Sequence, residues 1–210
     1  MNDFSLRKVY VHGPGRWPYI KMFLNYREYD VVTSLEESDI LVFTGGSDVE
    51  PRLYGELPLE YTSFSRERDQ DDKKAYNSAG PHRLKLGICR GGQLLNVLNG
   101  GRMWQHVDEH AGKKHFVLDH KTGKKFWCTS THHQMMIPGK SAEIVGTARE
   151  SKNRYSERQH VSEVVDDDIE ILWYPESRSL CFQPHPELYG AEETRQYFFE
   201  LVDRFWAEAV

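Results

Sequence analysis

The chain has 210 residues, is 39% hydrophobic and 28% charged, and carries a formal net charge of −5 at pH 7. That length suits one α/β domain over residues 1–210 with a real core. The acidic balance argues against a nucleic-acid partner, and the absence of any apolar run of transmembrane length argues against a membrane one. The start, MNDFSLRKVYVHG, lacks the apolar segment of a signal peptide, and Cys89, Cys128 and Cys181 are an odd, widely spaced set. Both features lead to the expectation of reduced thiols in a cytoplasm.

Lys8 to His12 predicts a first strand, closed by the Gly13-Pro14-Gly15 turn. Trp17 to Tyr26 places Ile20, Phe23 and Leu24 at helical spacing, and Tyr29 to Thr33 predicts a second strand. Asp39 to Phe43 is a continuous apolar run, which suits a parallel strand covered on both faces. It ends in Thr44-Gly45-Gly46-Ser47-Asp48, where paired glycines let backbone N–H groups face a site unobstructed. Phe64 to Ala79 is polar enough to read as a surface helix with a solvated charged face.

Leu84 to Gly101, LKLGICRGGQLLNVLNGG, has the richest pattern in the chain. A short apolar strand, Leu84 to Ile88, meets Cys89 between Gly87 and Gly91. Leu94, Leu95, Val97 and Leu98 then recur at helical spacing until Asn99-Gly100-Gly101. A nucleophile on a tight strand-to-helix turn needs small neighbours, and a helix N-terminus favours thiolate. The alternative is a buried structural cysteine beside a glycine turn.

Beyond this helix the pattern turns β-like. Arg102 to Val107, His115 to Leu118, Lys125 to Thr129 and Ala142 to Ala148 predict short strands, with a turn at 121–124 and a polar loop at Ser130 to Gln134. Glu150 to Asp168 is charged and shows no clear period. Glu170 to Tyr174 and Ser179 to Phe182 predict a hairpin, and Ala191 to Ala209 an amphipathic helix buried through Tyr197, Phe198, Leu201, Val202 and Phe205. Strands alternating with helices predict a doubly wound, flavodoxin-like α/β fold. Its mostly parallel central sheet would be flanked by helices, with added antiparallel strands in the C-terminal half. Gln183-Pro184-His185-Pro186-Glu187 follows the last strand and offers an imidazole with a carboxylate two residues on.

TGGSD, GICRGGQ and QPHPE, in this order, resemble the class I glutamine amidotransferase-like superfamily. GGSDVEPRLYGE and TSTHHQ are similar to segments of its γ-glutamyl-γ-aminobutyrate hydrolase group, the C26 peptidases. The resemblance implies Cys89 as nucleophile, His185 as general base and acid, and Glu187 as the group orienting it. It implies an oxyanion hole from the backbone N–H groups of Gly46 and Arg90. It also implies substrate contacts at Gly45, Gln93, Ser130, Thr131 and His132. The activity implied is hydrolysis of a glutamine or γ-glutamyl amide through a γ-glutamyl thioester, with neither metal nor organic cofactor. Pro184 and Thr129 depart from the family, which usually has an aromatic residue and Asn there.

Three other readings compete. The chain would serve as a glutaminase subunit feeding ammonia to a separate synthetase, since it lacks a GxxxxGK[ST] phosphate loop of its own. It would be a silent, partner-binding relative. Or His106 and His110, four apart, with His115 and His120 nearby, would hold a metal; that segment reads as strand and turn, with no CxxC or HExxH, so no metal is expected.

Overall fold

Every residue of Ile40–Phe43 and of Leu84–Ile88 is buried, and the two runs pair in parallel at the centre of a nine-stranded sheet. In the computed structural model, which describes residues 6–208, the N-terminal half alternates strands and helices as its periodicity predicts. In chain order these are β1 (Arg7–His12), α1 (Trp17–Leu24), β2 (Tyr29–Val31), β3 (Ile40–Phe43), a 3-10 turn (Pro51–Tyr54), α2 (Arg66–Ala79), β4 (Leu84–Ile88) and α3 (Arg90–Leu98). The remaining elements are β5 (Arg102–Trp104), β6 (His106–Val107), β7 (Lys113–Asp119), β8 (Lys125–Ser130), β9 (Met135–Ile137), β10 (Glu143–Ala148), β11 (Asn153–Tyr155), β12 (His160–Ser162), β13 (Asp168–Tyr174), β14 (Ser179–Phe182) and α4 (Glu192–Ala207). The first residues of the chain and Ala209, read above as a start without a leader and as the end of the last helix, lie outside the described residues.

The sheet runs β2-β1-β3-β4-β14-β13-β10-β7-β8. Its first five strands pair in parallel and the rest antiparallel, so the parallel part is the half that carries the motifs. Period-two alternation sends one set of side chains to each face. Ile40, Val42, Leu84, Leu86, Ile88, Leu180 and Phe182 pack with α1 and α4. Leu41, Phe43 and Cys181 join the side covered by α2 and α3, through Ala75, Ala79, Leu94, Leu95 and Val97. All five residues assigned to the buried stripe of α4 are buried. Asp119, the last residue of β7, accepts hydrogen bonds from Tyr197 Oη (2.9 Å) and Arg204 Nη2 (2.8 Å), tying the antiparallel edge to that helix.

Four local expectations change. Arg102 to Val107 is two strands, β5 and β6, in different small sheets, because the side chain of Gln105 turns inward to hydrogen-bond Glu56, Leu57 O, the Leu59 N–H and Thr62. The Glu150–Asp168 stretch contains β11 and β12, which pair with each other, β11 also pairing with β6. Their three-residue length leaves little alternation to read. The buried face of α1 is Tyr19, Met22 and Phe23, and Leu24 is 58% exposed. The helix over Phe64 to Ala79 is not a fully solvated face: Asp69 and Asp72 are buried, for a reason found at the site.

A Phe198→Ala variant, cut from the centre of the α4 stripe, is expected to lose about 3–5 kcal/mol of stability. Leu24→Ala should stay within about 0.5 kcal/mol of the parent. Urea unfolding at neutral pH checks both; equal losses would contradict this packing.

Candidate active site

Cys89 stands where β4 turns into α3, with φ 52° and ψ −114°. A positive φ is strained for a residue with a Cβ, and such strain persists only where the surroundings impose it. Here they do. The Cys89 N–H donates to Phe182 O at 2.8 Å, and its carbonyl accepts from the Gln93 N–H at 3.1 Å. The flanking glycines allow the tight packing: a Cβ on Gly91 would lie 2.3 Å from Phe43 O, and one on Gly87 2.4 Å from the Gly91 carbonyl. Cys89 keeps 8% exposure, whereas Cys128 and Cys181 have none, and burial pushes both of those thiols well above the ordinary range.

The β14 end brings His185 and Glu187 to the same place. His185 Nδ1 donates to Glu187 Oε1 at 2.6 Å, both side chains being largely buried. Burial pushes the imidazole pKa down, but the neighbouring Cys89 sulfur and the hydrogen-bonded Glu187 outweigh it and raise the pKa to about 10. The ring and the sulfur-bearing residue flank one point: a Cβ on Gly45 would lie 3.0 Å from His185 Cε1 and 3.6 Å from Cys89 Cβ. Thr129, at the end of β8, clamps the His185 backbone: its Oγ1 accepts from His185 N–H (2.8 Å) and donates to His185 O (3.3 Å). Tyr19 Oη accepts the Gly45 N–H at 2.9 Å, and burial, followed by the charge of Glu187, keeps its proton on. Tyr19 carries no mark in the sequence, since a lone hydroxyl gives no periodic or motif signal, and Thr129 stands out there only as a departure from the family's usual Asn.

One helix holds two parts of this site. Arg68 of α2 donates through Nη2 to Thr44 O (3.0 Å), Thr44 Oγ1 (3.1 Å) and Gly45 O (2.9 Å). Gly46, at φ 147°, passes so close to it that a Cβ would fall 2.0 Å from Arg68 Nη1. The Arg90 side chain, 1% exposed, is bonded to both Asp69 and Asp72, one turn apart on α2. Burial pushes Asp72 up, but His12, Arg90 and Arg68 together hold it below the ordinary carboxylate range. For Asp69 burial wins, and its pKa is raised. The two aspartates, invisible as a buried pair in a charged sequence, are turned inward because Arg90 supplies their counter-charge.

A cavity of about 260 Å³ opens beside Cys89, lined also by Gly46, Asp48, Gln93, Thr131, His132 and His133. Of the residues expected to touch substrate, Gln93, Thr131 and His132 therefore face it. Gln93 Nε2 donates to Gln183 Oε1 at 3.2 Å. Gly45 commits its N–H to Tyr19, and the Ser130 hydroxyl turns to His110 Nδ1 at 3.4 Å, so neither of those groups points at the cavity. Two larger clefts, of about 510 and 550 Å³, contain no cysteine or histidine, and the second has Glu187 in its wall.

A parallel half-sheet with an elbow cysteine at its carboxyl end is the class I glutamine amidotransferase-like fold. Solved structures agree: a glutamine amidotransferase from Thermotoga maritima superposes with a TM-score of 0.56 at 16% identity, covering 98% of this chain and 86% of that one. PurLQS from Thermotoga maritima superposes with a TM-score of 0.62 at 16% identity, covering 95% and 99%. The chain belongs to the Peptidase C26 family, which matches residues 10–187. Among relatives in sequence, the Mycobacterium tuberculosis protein named "Putative glutamine amidotransferase Rv2859c" is 32% identical over 179 residues, or 80% of this chain. The matched region spans 56% of that protein's own length. The arginine-specific small chain of carbamoyl phosphate synthase from Bacillus subtilis is 28% identical over 115 residues, 55% of this chain and 30% of that one.

Asp72→Asn should lower stability at pH 7 by about 3 kcal/mol, since it removes one partner of a buried charge pair. Because the folded pKa of Asp72 is depressed, its contribution is present above the unfolded value of about 3.9 and is lost as pH falls through the folded one. The deficit of the variant should therefore shrink on acidification below about pH 4. Denaturant unfolding at pH 7 and in acid reads this directly; a deficit that grows in acid would contradict it.

Proposed function

We propose that the protein hydrolyses the γ-amide of glutamine or of a γ-glutamyl amine through a thioester on Cys89. The observation that carries the reading is the His185 imidazole, hydrogen-bonded to Glu187 and set beside Cys89 across the Gly45 backbone. An imidazole so placed takes the thiol proton and holds it as imidazolium beside a thiolate. The Cys89 thiolate attacks the γ-carbonyl carbon, and the carbonyl oxygen becomes an oxyanion facing the N–H groups of Gly46 and Arg90. Each such preorganised donor contributes about 3 kcal/mol to lowering the barrier. The C–N bond breaks as His185 passes its proton to the departing ammonia or amine. Water then attacks the thioester, giving its proton to His185; the C–S bond breaks, and glutamate and thiolate are released. Glu187 orients the imidazole, and Thr129 and Tyr19 fix the backbone around it as positioning residues. No step calls for a metal or an organic cofactor.

The cavity volume suits a small substrate, below the size of ordinary drug-sized pockets. We place Gln93, Thr131 and the backbone of His132 against the glutamyl end, with the reaction in a reducing compartment, where the three free cysteines persist. Among the described residues no helix is long and apolar enough to cross a membrane. A second reading keeps the chemistry and changes its use: the likeness to carbamoyl phosphate synthase small chains and to PurLQS favours a glutaminase that delivers ammonia to a separate synthetase. Unaided turnover of γ-glutamyl amines supports the free-standing hydrolase; near silence until a synthetase is added supports the subunit.

Cys89→Ala is expected to abolish turnover with the fold intact, while Cys128→Ala and Cys181→Ala keep it; ammonia and glutamate release measure all three. Activity in Cys89→Ala would remove the mechanism. Thr129→Val should lower kcat by about tenfold or more by leaving the His185 N–H unpaired. An unchanged rate would take the clamp out of the account.

A further inference from the structure

Three histidines converge on one buried carboxylate oxygen. His115 Nε2 lies 3.2 Å from Glu170 Oε1, His110 Nδ1 3.5 Å and His132 Nε2 3.5 Å. The donor atoms of His110, His115 and Glu170 all lie within 4.8 Å of one another, and the three residues are buried. The four side chains come from separate places: the segment after β6, β7, the loop after β8, and β13. None is more than 3% exposed.

These contacts are close yet are not hydrogen bonds. His115 Nε2, His132 Nε2 and both oxygens of Glu170 are buried and lack any hydrogen-bond partner. A buried network of this kind is costly unless something else satisfies it. The second nitrogens indicate what. His132 Nδ1 faces Gln134 O at 2.9 Å, which places the proton on Nδ1 and leaves the lone pair of Nε2 aimed at Glu170. His110 Nε2 lies 3.2 Å from Asp168 Oδ2 without hydrogen-bond geometry, and its Nδ1 faces both Glu170 and the Ser130 hydroxyl. A lone pair directed at a carboxylate repels it unless a cation stands between them. An imidazole oriented from behind by a carbonyl is a usual outer arrangement of a metal-ligating histidine.

The spacing toward the carboxylate fits as well. Ligand bonds of about 2.0–2.2 Å in a tetrahedron put neighbouring donors about 3.3–3.6 Å apart, and the three imidazole nitrogens stand 3.2, 3.5 and 3.5 Å from Glu170 Oε1. We infer that His110, His115 and Glu170, whose donors are mutually close, with His132 at their edge, form a site for a divalent transition-metal ion of the zinc type. Three imidazoles and a carboxylate suit zinc better than calcium or magnesium, which take oxygen donors. Enclosed by protein donors, the ion is structural. It joins β13 and β7 to the Ser130–Gln134 loop that lines the cavity, through His132. The neighbouring histidines of the sequence stay outside: His106 stacks on Tyr61, and His120 bonds Thr147 Oγ1. This site stands whether or not Cys89 is the nucleophile.

The test uses the full chain without a histidine tag, stripped with chelator and titrated separately with Zn²⁺ and Co²⁺. The expected result is about one ion per chain, a raised Tm, and the intense visible absorption of four-coordinate Co²⁺. His115→Asn and Glu170→Gln should each weaken zinc binding more than about 100-fold, beyond what loss of an outer partner costs. His120→Ala and His12→Gln should keep full stoichiometry. Loss of the ion in His12→Gln alone would place it at His12, Asp71 and Asp72, the other grouping of suitable donors, and would overturn the assignment. Wild-type protein with native circular dichroism that takes up neither ion overturns it outright, and that measurement stands even if the variants do not fold.

Discussion

The Arg90 guanidinium, held between Asp69 and Asp72, is the interaction on which the site's geometry depends. Arg90 is the first residue of α3, directly after the strained Cys89, so fixing its side chain fixes the turn. The same helix that supplies the two aspartates supplies Arg68, which grips the Thr44 and Gly45 carbonyls. Both loops proposed to offer oxyanion donors are thus braced from α2. Charge balance explains why this is tolerated: two guanidinium groups face two carboxylates, with His12 against Asp72. Each charge would be prohibitive alone in so dry a place; together they hydrogen-bond one another.

The opposite wall is built from neutral hydroxyls. Thr129 grips the backbone of His185 from both sides, and Tyr19 receives the N–H of Gly45 while facing Glu187. The groups proposed to react follow β4 and β14, which are hydrogen-bonded neighbours in the sheet, so their carboxyl ends deliver Cys89 and His185 to one place without a long loop. This is the advantage of a parallel pair: both strands end on the same edge, where ligands of open α/β sheets bind.

Much of this is legible in the sequence. Apolar runs at Ile40–Phe43 and Leu84–Ile88, the glycines around Cys89 and the His185-Pro186-Glu187 segment each carry a local signal, because close packing and strand burial restrict residue type at those positions. The membership in the C26 family follows the resemblance those motifs suggested. What was not legible depends on distant partners. Nothing local distinguishes Asp69 and Asp72 from the other charges of RERDQDDKK, and only the arrival of Arg90 turns them inward. Likewise His110, His115, His132 and Glu170 lack any ligand spacing in sequence; the sheet assembles them. The short strands β11 and β12 were missed because three residues leave no period to detect.

The account rests on acyl transfer to one sulfur, and trapping that acyl group tests it most directly. Protein mixed with a γ-glutamyl amide, quenched in acid during turnover and digested, should show a γ-glutamyl adduct by mass spectrometry on the peptide carrying Cys89. An adduct on Cys128 or Cys181, or steady turnover with Cys89 unmodified at every quench time and unreactive to glutamine-mimicking electrophiles, would contradict it.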